Sequence, residues 1–153
     1  MKLVTFSVEN YRSITSARDI SIGNLTVLVG QNNEGKSNIL NALVTAMEII
    51  RLHARFGDRS ARPVGYRNRL AEIFDWERDF PIGLQARKTK KDSVFRLEFS
   101  LEENEIELFK TEIGSRLNGL LLIEIRAHHE GEPSINVVKT GKNTMLLWKS
   151  SQK

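Results

Sequence analysis

A mixed α/β fold is predicted for this chain of 153 residues, because three patterns follow one another along it. A period-two run opens the chain. An almost unbroken apolar run then leads into a glycine-rich loop and an amphipathic helix, and the second half alternates apolar and polar residues as an antiparallel layer does.

Val4, Phe6 and Val8 alternate with Leu3, Thr5 and Ser7, which predicts a first strand. Asn10 to Ser13 turns the chain into a short partner strand over Ala17 to Ile22, and Gly23-Asn24 supplies a hairpin-type turn. Leu25, Thr26, Val27, Leu28 and Val29 read as a strand buried on both faces, as parallel strands are. Past the loop, Ile39, Leu40, Leu43, Val44, Met47 and Ile50 recur at three- and four-residue spacing. They predict a helix of about four turns with a broad apolar stripe.

From His53 to Lys91 the periodicity stops. Gly57, Pro63, Gly65, Pro81 and Gly83 punctuate the stretch, and only Tyr66 to Phe74 suggests a short helix. Phe95, Leu97, Phe99 and Leu101 then mark a half-buried strand, and Ser100 with Glu103 forms a capping box for a helix to about Ile113. Leu121, Ile123 and Ile125 mark a further strand. Gly131-Glu132-Pro133 turns into Ile135 and Val137, and Gly141-Lys142-Asn143 into a last apolar run, Met145 to Trp148. The expected organisation is one domain over 1–153: strands, loop and helix in 1–52, an irregular basic insertion in 53–91, and antiparallel strands with one helix in 92–153.

Composition narrows the function classes. With 40% hydrophobic residues the chain can build a core, and no apolar run approaches the roughly 18 residues of a membrane span. The absence of cysteine excludes disulfides and thiolate zinc sites, and three scattered histidines show no metal spacing. A cytoplasmic protein with no membrane partner is expected. The net charge of +4 is unevenly spread, since residues 51 to 91 carry eleven Lys or Arg against five Asp or Glu. Such a stretch is either a solvated face or an attractor for nucleic acid.

Gly30-Gln31-Asn32-Asn33-Glu34-Gly35-Lys36-Ser37 matches the Walker A pattern of a P-loop. The glycines let the backbone bend so that successive N–H groups converge on phosphate oxygens. Lys36 is placed to reach the β- and γ-phosphates and Ser37 to ligate magnesium, while the helix start adds its positive dipole end. ATP and Mg2+ are therefore the expected ligands.

Val8-Glu9-Asn10-Tyr11-Arg12-Ser13-Ile14, followed by the loop through Asn38, resembles the N-terminal lobe of ABC-type ATPases in the RecF, SMC and OLD group. Phe74-Asp75-Trp76-Glu77-Arg78-Asp79-Phe80-Pro81 resembles bacterial AAA-type members of that group, some of which serve in antiphage systems. The resemblance implies a P-loop nucleotide-binding lobe with an antiparallel β-subdomain, an incomplete ABC-ATPase head acting in DNA repair or phage defence. It implies nucleotide-binding roles for Gly30, Asn32, Asn33, Glu34, Gly35, Lys36, Ser37 and Asn38. It also implies that Arg12 contacts base, ribose or phosphates, although a solvated turn is the plain alternative, and that Gln85 stands where a Q-loop glutamine reaches magnesium. In the full-length protein it implies a homodimer, with DNA a further partner.

Hydrolysis needs an acidic residue after an apolar strand to polarise water. The nearest candidate, Glu124 after Leu120 to Ile123, is followed by Ile125 in place of a second acid, and is read as a structural residue on a solvent-facing strand. No Ser-Gly-Gly signature occurs. No catalytic residue is therefore assigned, and a fragment of a longer ATPase is expected. His128 and His129 read as a polar turn. Two other classes fit a P-loop: a small kinase, and a non-catalytic nucleotide-regulated module for DNA binding or assembly.

Overall fold

The structure, a computed structural model, describes residues 1–30, 35–56, 63–85, 91–114, 118–138 and 145–146. Strand β1 (Lys2–Tyr11) is flanked by β2 (Ile14–Ser21) and β3 (Ser93–Ser100), and the sheet continues through β4 (Leu120–Ala127), β5 (Ser134–Val138) and the two-residue β6 (Met145–Leu146). Every pairing is antiparallel. The alternating positions Phe95, Leu97 and Phe99 of β3 are all buried, as their period of two requires.

The β1–β2 hairpin carries a bulge. Between the pairs Phe6↔Ile20 and Val8↔Ala17, β2 uses one residue more than β1. Asp19 absorbs the excess at φ 54°, and the backbone N–H this leaves unpaired donates to Ser7 Oγ at 2.9 Å. That bond accounts for a buried serine in the central strand.

One face of the sheet is covered by α1 (Lys36–Phe56), which begins directly after the glycine loop, as expected, and runs on past Ile50, where its apolar periodicity ended. Ala42, Thr45, Ala46 and Ile49, at helical spacing, press on the sheet, and Thr45 Oγ1 lies 3.1 Å from the hydroxyl of buried Tyr11. Burial pushes the Tyr11 phenol up from its ordinary pKa. Two small residues in this stripe let helix and strand approach closely.

On the opposite face charged residues pair in sequence across four strands. Arg18 of β2 binds Glu9 of β1 at 3.0 Å, and Glu9 also accepts from Arg96 of β3 at 3.0 Å. Arg96 then reaches Glu124 of β4 at 2.8 Å, whose other oxygen accepts from Arg126 at 2.7 Å. Glu124 is therefore buried and doubly paired, and the solvent-facing position expected for it is corrected. Its structural reading gains a cause, since both carboxylate oxygens are engaged.

The connection between α1 and β3 holds more helix than its sequence suggested: α2 (Tyr66–Ile73), α3 (Trp76–Asp79) and α4 (Ile82–Gln85). Asp75 caps α3 by accepting from the Arg78 amide at 2.9 Å. After β3, α5 (Glu103–Ile113) starts two residues beyond the box expected at Ser100 and Glu103. Ser100 still belongs to the strand, and it is Glu102 whose N–H donates to Glu105 at 2.9 Å. The Glu105 carboxyl lies below its usual pKa because the Glu102 amide and the N-terminal ammonium both donate to it.

The larger correction concerns Leu25 to Val29. No strand forms there, and Leu25, Val27 and Val29 are 85%, 70% and 90% exposed. A continuous apolar run signals two-sided burial only where other strands exist to cover it. Both edges of β1 are taken by β2 and β3, and no described strand pairs with this segment. Gly23-Asn24 accordingly opens no hairpin; the Gly23 amide donates to Thr26 Oγ1 at 2.9 Å. The turn at 141–143 and residues 147–148 of the last apolar run lie outside the described residues.

Candidate functional site

The glycine loop ends where α1 begins. Gly35 has φ 88°, in the left-handed region that favours glycine, and the Gly35 carbonyl accepts the first helical bond, from Ile39 N at 2.9 Å. The amides of the residues that follow have no partner within the helix, by the geometry of any helix start. Lys36 reaches back to Gly30, its Nζ 2.7 Å from the Gly30 carbonyl, so the two ends of the motif are tied together. Ser37 is exposed. Gln31, Asn32, Asn33 and Glu34 lie outside the described residues.

The turn between β1 and β2 packs beside this junction. Asn38 Nδ2 donates to Ser13 Oγ at 2.8 Å, and a Cβ added at Gly35 would stand 3.3 Å from the same hydroxyl. Gly35→Ala is therefore expected to cost about 1–2 kcal/mol, from left-handed backbone strain together with a tight contact that the Ser13 hydroxyl must yield to. Urea unfolding would read this as a lower midpoint; an unchanged midpoint would contradict it.

Arg12, also left-handed at φ 50°, is the other residue of that turn. Its backbone N–H donates to the Asp79 carbonyl at 2.6 Å and its Nε to the Asp79 carboxylate at 2.9 Å. Asp79 is fully buried and further accepts from Arg78 Nη2 at 2.7 Å and from the Asp75 amide at 3.1 Å. Burial alone would raise this carboxyl's pKa, but hydrogen bonds from Arg78, the Asp75 amide and Arg12 hold it below the ordinary range. Asp79 was not singled out from the sequence. Its partner lies 67 positions away, and the one local signal was the Asp75-to-Arg78 capping spacing.

Gln85 closes α4, and its carboxamide nitrogen donates to the carbonyls of Phe80 at 2.8 Å and Glu77 at 3.0 Å. His128 Nδ1 lies 2.9 Å from Asp92 and His129 meets the Trp76 ring edge-on at 4.2 Å. Both histidines, with Tyr66, Phe74 and Trp76, line a cleft of 1110 Å3 to which no described residue of the glycine loop contributes. The junction of Gly30, Gly35 and Lys36 at the start of α1, and not this cleft, is the candidate site. Among the described residues no group of three or more His, Asp or Glu side chains is arranged to hold a metal by itself. A lone serine hydroxyl at a helix start suits magnesium that arrives with phosphate, since that ion keeps most of its other ligands as water and phosphate oxygens. No helix among the described residues is long and apolar enough to cross a membrane.

A glycine loop tied across its mouth, opening onto a long helix that packs on an antiparallel sheet, defines a P-loop lobe of mixed α/β class. The chain belongs to the AAA ATPase domain family, whose profile matches residues 1–146. It is also similar in fold to a solved structure from work on ATP-driven dimerization and DNA-stimulated activation of SMC ATPases, with TM-score 0.53 and 18% identity. That match covers 91% of this chain and 70% of the solved one. Comparison with curated proteins returns no significant match.

Proposed function

We propose that this chain binds ATP with magnesium at Gly30 to Asn38, as the N-terminal lobe of an ABC-type ATPase head. The junction at Gly35 carries the reading: a left-handed glycine opens α1 while Lys36 reaches back to Gly30, so the two ends of the motif meet at a helix start, where free amides and an ammonium favour phosphate. In this reading Gly30, Asn32, Asn33, Glu34 and Gly35 surround the phosphates, Lys36 neutralises their charge, and Ser37 ligates magnesium. Asn38 holds the neighbouring turn, Arg12 contacts the nucleotide from it, and Gln85 approaches the metal. The whole of 1–153 works as one lobe, with 53–91 as an insertion.

The exposed strip Leu25, Val27 and Val29 fits the same reading, because in a complete head further strands would cover it. Hydrolysis would then depend on acidic and signature segments supplied from outside these residues, by a partner copy or by more of the same polypeptide. In this reading the head acts in the cytoplasm, in DNA repair or antiphage defence, as a homodimer that takes DNA as a further partner.

Titration calorimetry of the 153-residue chain with ATP and magnesium tests the reading, together with a phosphate-release assay. Saturable binding with turnover at background is expected. No binding would overturn the nucleotide assignment; turnover that co-purifies with the chain would overturn the dependence on outside segments.

A further inference from the structure

The Arg12 guanidinium has three nitrogens, and only Nε makes a hydrogen bond among the described residues, to Asp79. The side chain is one-third exposed, whereas Asp79 is wholly buried. One position further along, Ser13 is fixed by Asn38 and packed on Gly35, so the turn bridges the start of α1 on one side and Asp79 on the other. Asp79 itself is immobilised by Arg78, by the Asp75 amide, and by the parallel stack of Trp76 on Phe80 at 4.8 Å.

We propose that Asp79 is a positioning residue for the nucleotide site: it grips Arg12 through Nε and leaves both Nη groups for the phosphate-bearing ligand. This rests on the nucleotide reading above and assigns a task to α3. The division of labour needs a guanidinium, because its fixed fork can serve a carboxylate and a phosphate at once. An ammonium is a single point donor with a different reach. A lysine at position 12 would either pair with Asp79 or approach the ligand.

Affinity for ATP with magnesium, measured on the wild-type chain and on Arg12→Lys, Arg12→Ala, Asp79→Asn and the Arg12→Ala/Asp79→Asn double variant, tests this. Arg12→Lys should weaken binding about tenfold, the size of one charge-assisted hydrogen bond, and as much as Arg12→Ala. Asp79→Asn should weaken it comparably, and the double variant should bind no worse than Arg12→Ala alone, since Asp79 acts through that side chain. A structural role would give additive losses instead. Wild-type affinity in Arg12→Lys, or additive losses in the double variant, would overturn the proposal. Should Asp79→Asn not fold, Asp79→Glu takes its place, since a carboxylate one methylene longer keeps the charge but displaces Arg12: weakened ATP binding is expected, and wild-type affinity would overturn the proposal. If wild type binds and Lys36→Ala does not, a negative result here leaves the nucleotide reading standing; if wild type fails to bind, both fall.

Discussion

Replacing Lys36 with alanine is expected to lower ATP affinity by about 100-fold or more while the chain stays folded. The side chain is partly buried at the first position of α1, and it reaches the Gly30 carbonyl without entering the core. Alanine has the best helix propensity at such a position, so the stability change should stay within about 0.5 kcal/mol. The loss would come from the ligand's side, where a triphosphate would be left without the one ammonium the loop supplies. Calorimetric titration paired with urea unfolding separates the two effects. Equal ATP affinity in wild type and variant, at equal unfolding midpoints, would rule out a phosphate role for this lysine.

Asp79→Ala should act the other way round, through the fold. Removing the carboxylate strips four hydrogen bonds from Arg12, Arg78 and Asp75 in a place that water does not reach. Breaking a buried pair from one side costs about 3–5 kcal/mol, out of a total stability of about 5–15. The value should fall near 3, because Arg12 and Arg78 are 33% and 48% exposed and can recover solvation. Acid should expose the same interaction. A carboxyl whose folded pKa is depressed contributes fully above its unfolded value, near 3.8, and loses that contribution as pH falls through the lower folded value. Urea midpoints compared at neutral pH and between pH 4 and 2 should therefore show the gap between wild type and Asp79→Ala narrowing with acid. A gap below about 1 kcal/mol at neutral pH would contradict the account.

The parts of the fold that could be read from the sequence were those decided locally. Val4 to Val8 and Phe95 to Leu101 alternate because each strand has one covered face, and the Ile39 to Ile50 spacing marks the face that α1 lays on the sheet. The glycine motif was equally legible, since Gly35 must take a conformation other residues avoid. What escaped depended on distant partners. The run Leu25 to Val29 shows that these residues prefer cover, but sequence alone does not say whether neighbouring strands are present to give it. Glu124 looked exposed because charges usually are, yet Arg96 on β3 and Arg126 on its own strand neutralise it in the sheet. Asp79 sat in a segment that was notable only by resemblance, and its partner Arg12 is brought to it by the β1–β2 turn. Pairing of charges across the fold leaves no periodic trace.

Backbone amide shifts recorded by NMR during titration with ATP and magnesium, and separately with adenosine, bear most directly on the central claim. The amides from Gly30 to Asn38 should move with ATP and stay still with adenosine, because it is the phosphates that they would bind. Shifts confined to other residues, or identical with the two ligands, would show that this bend grips no phosphate.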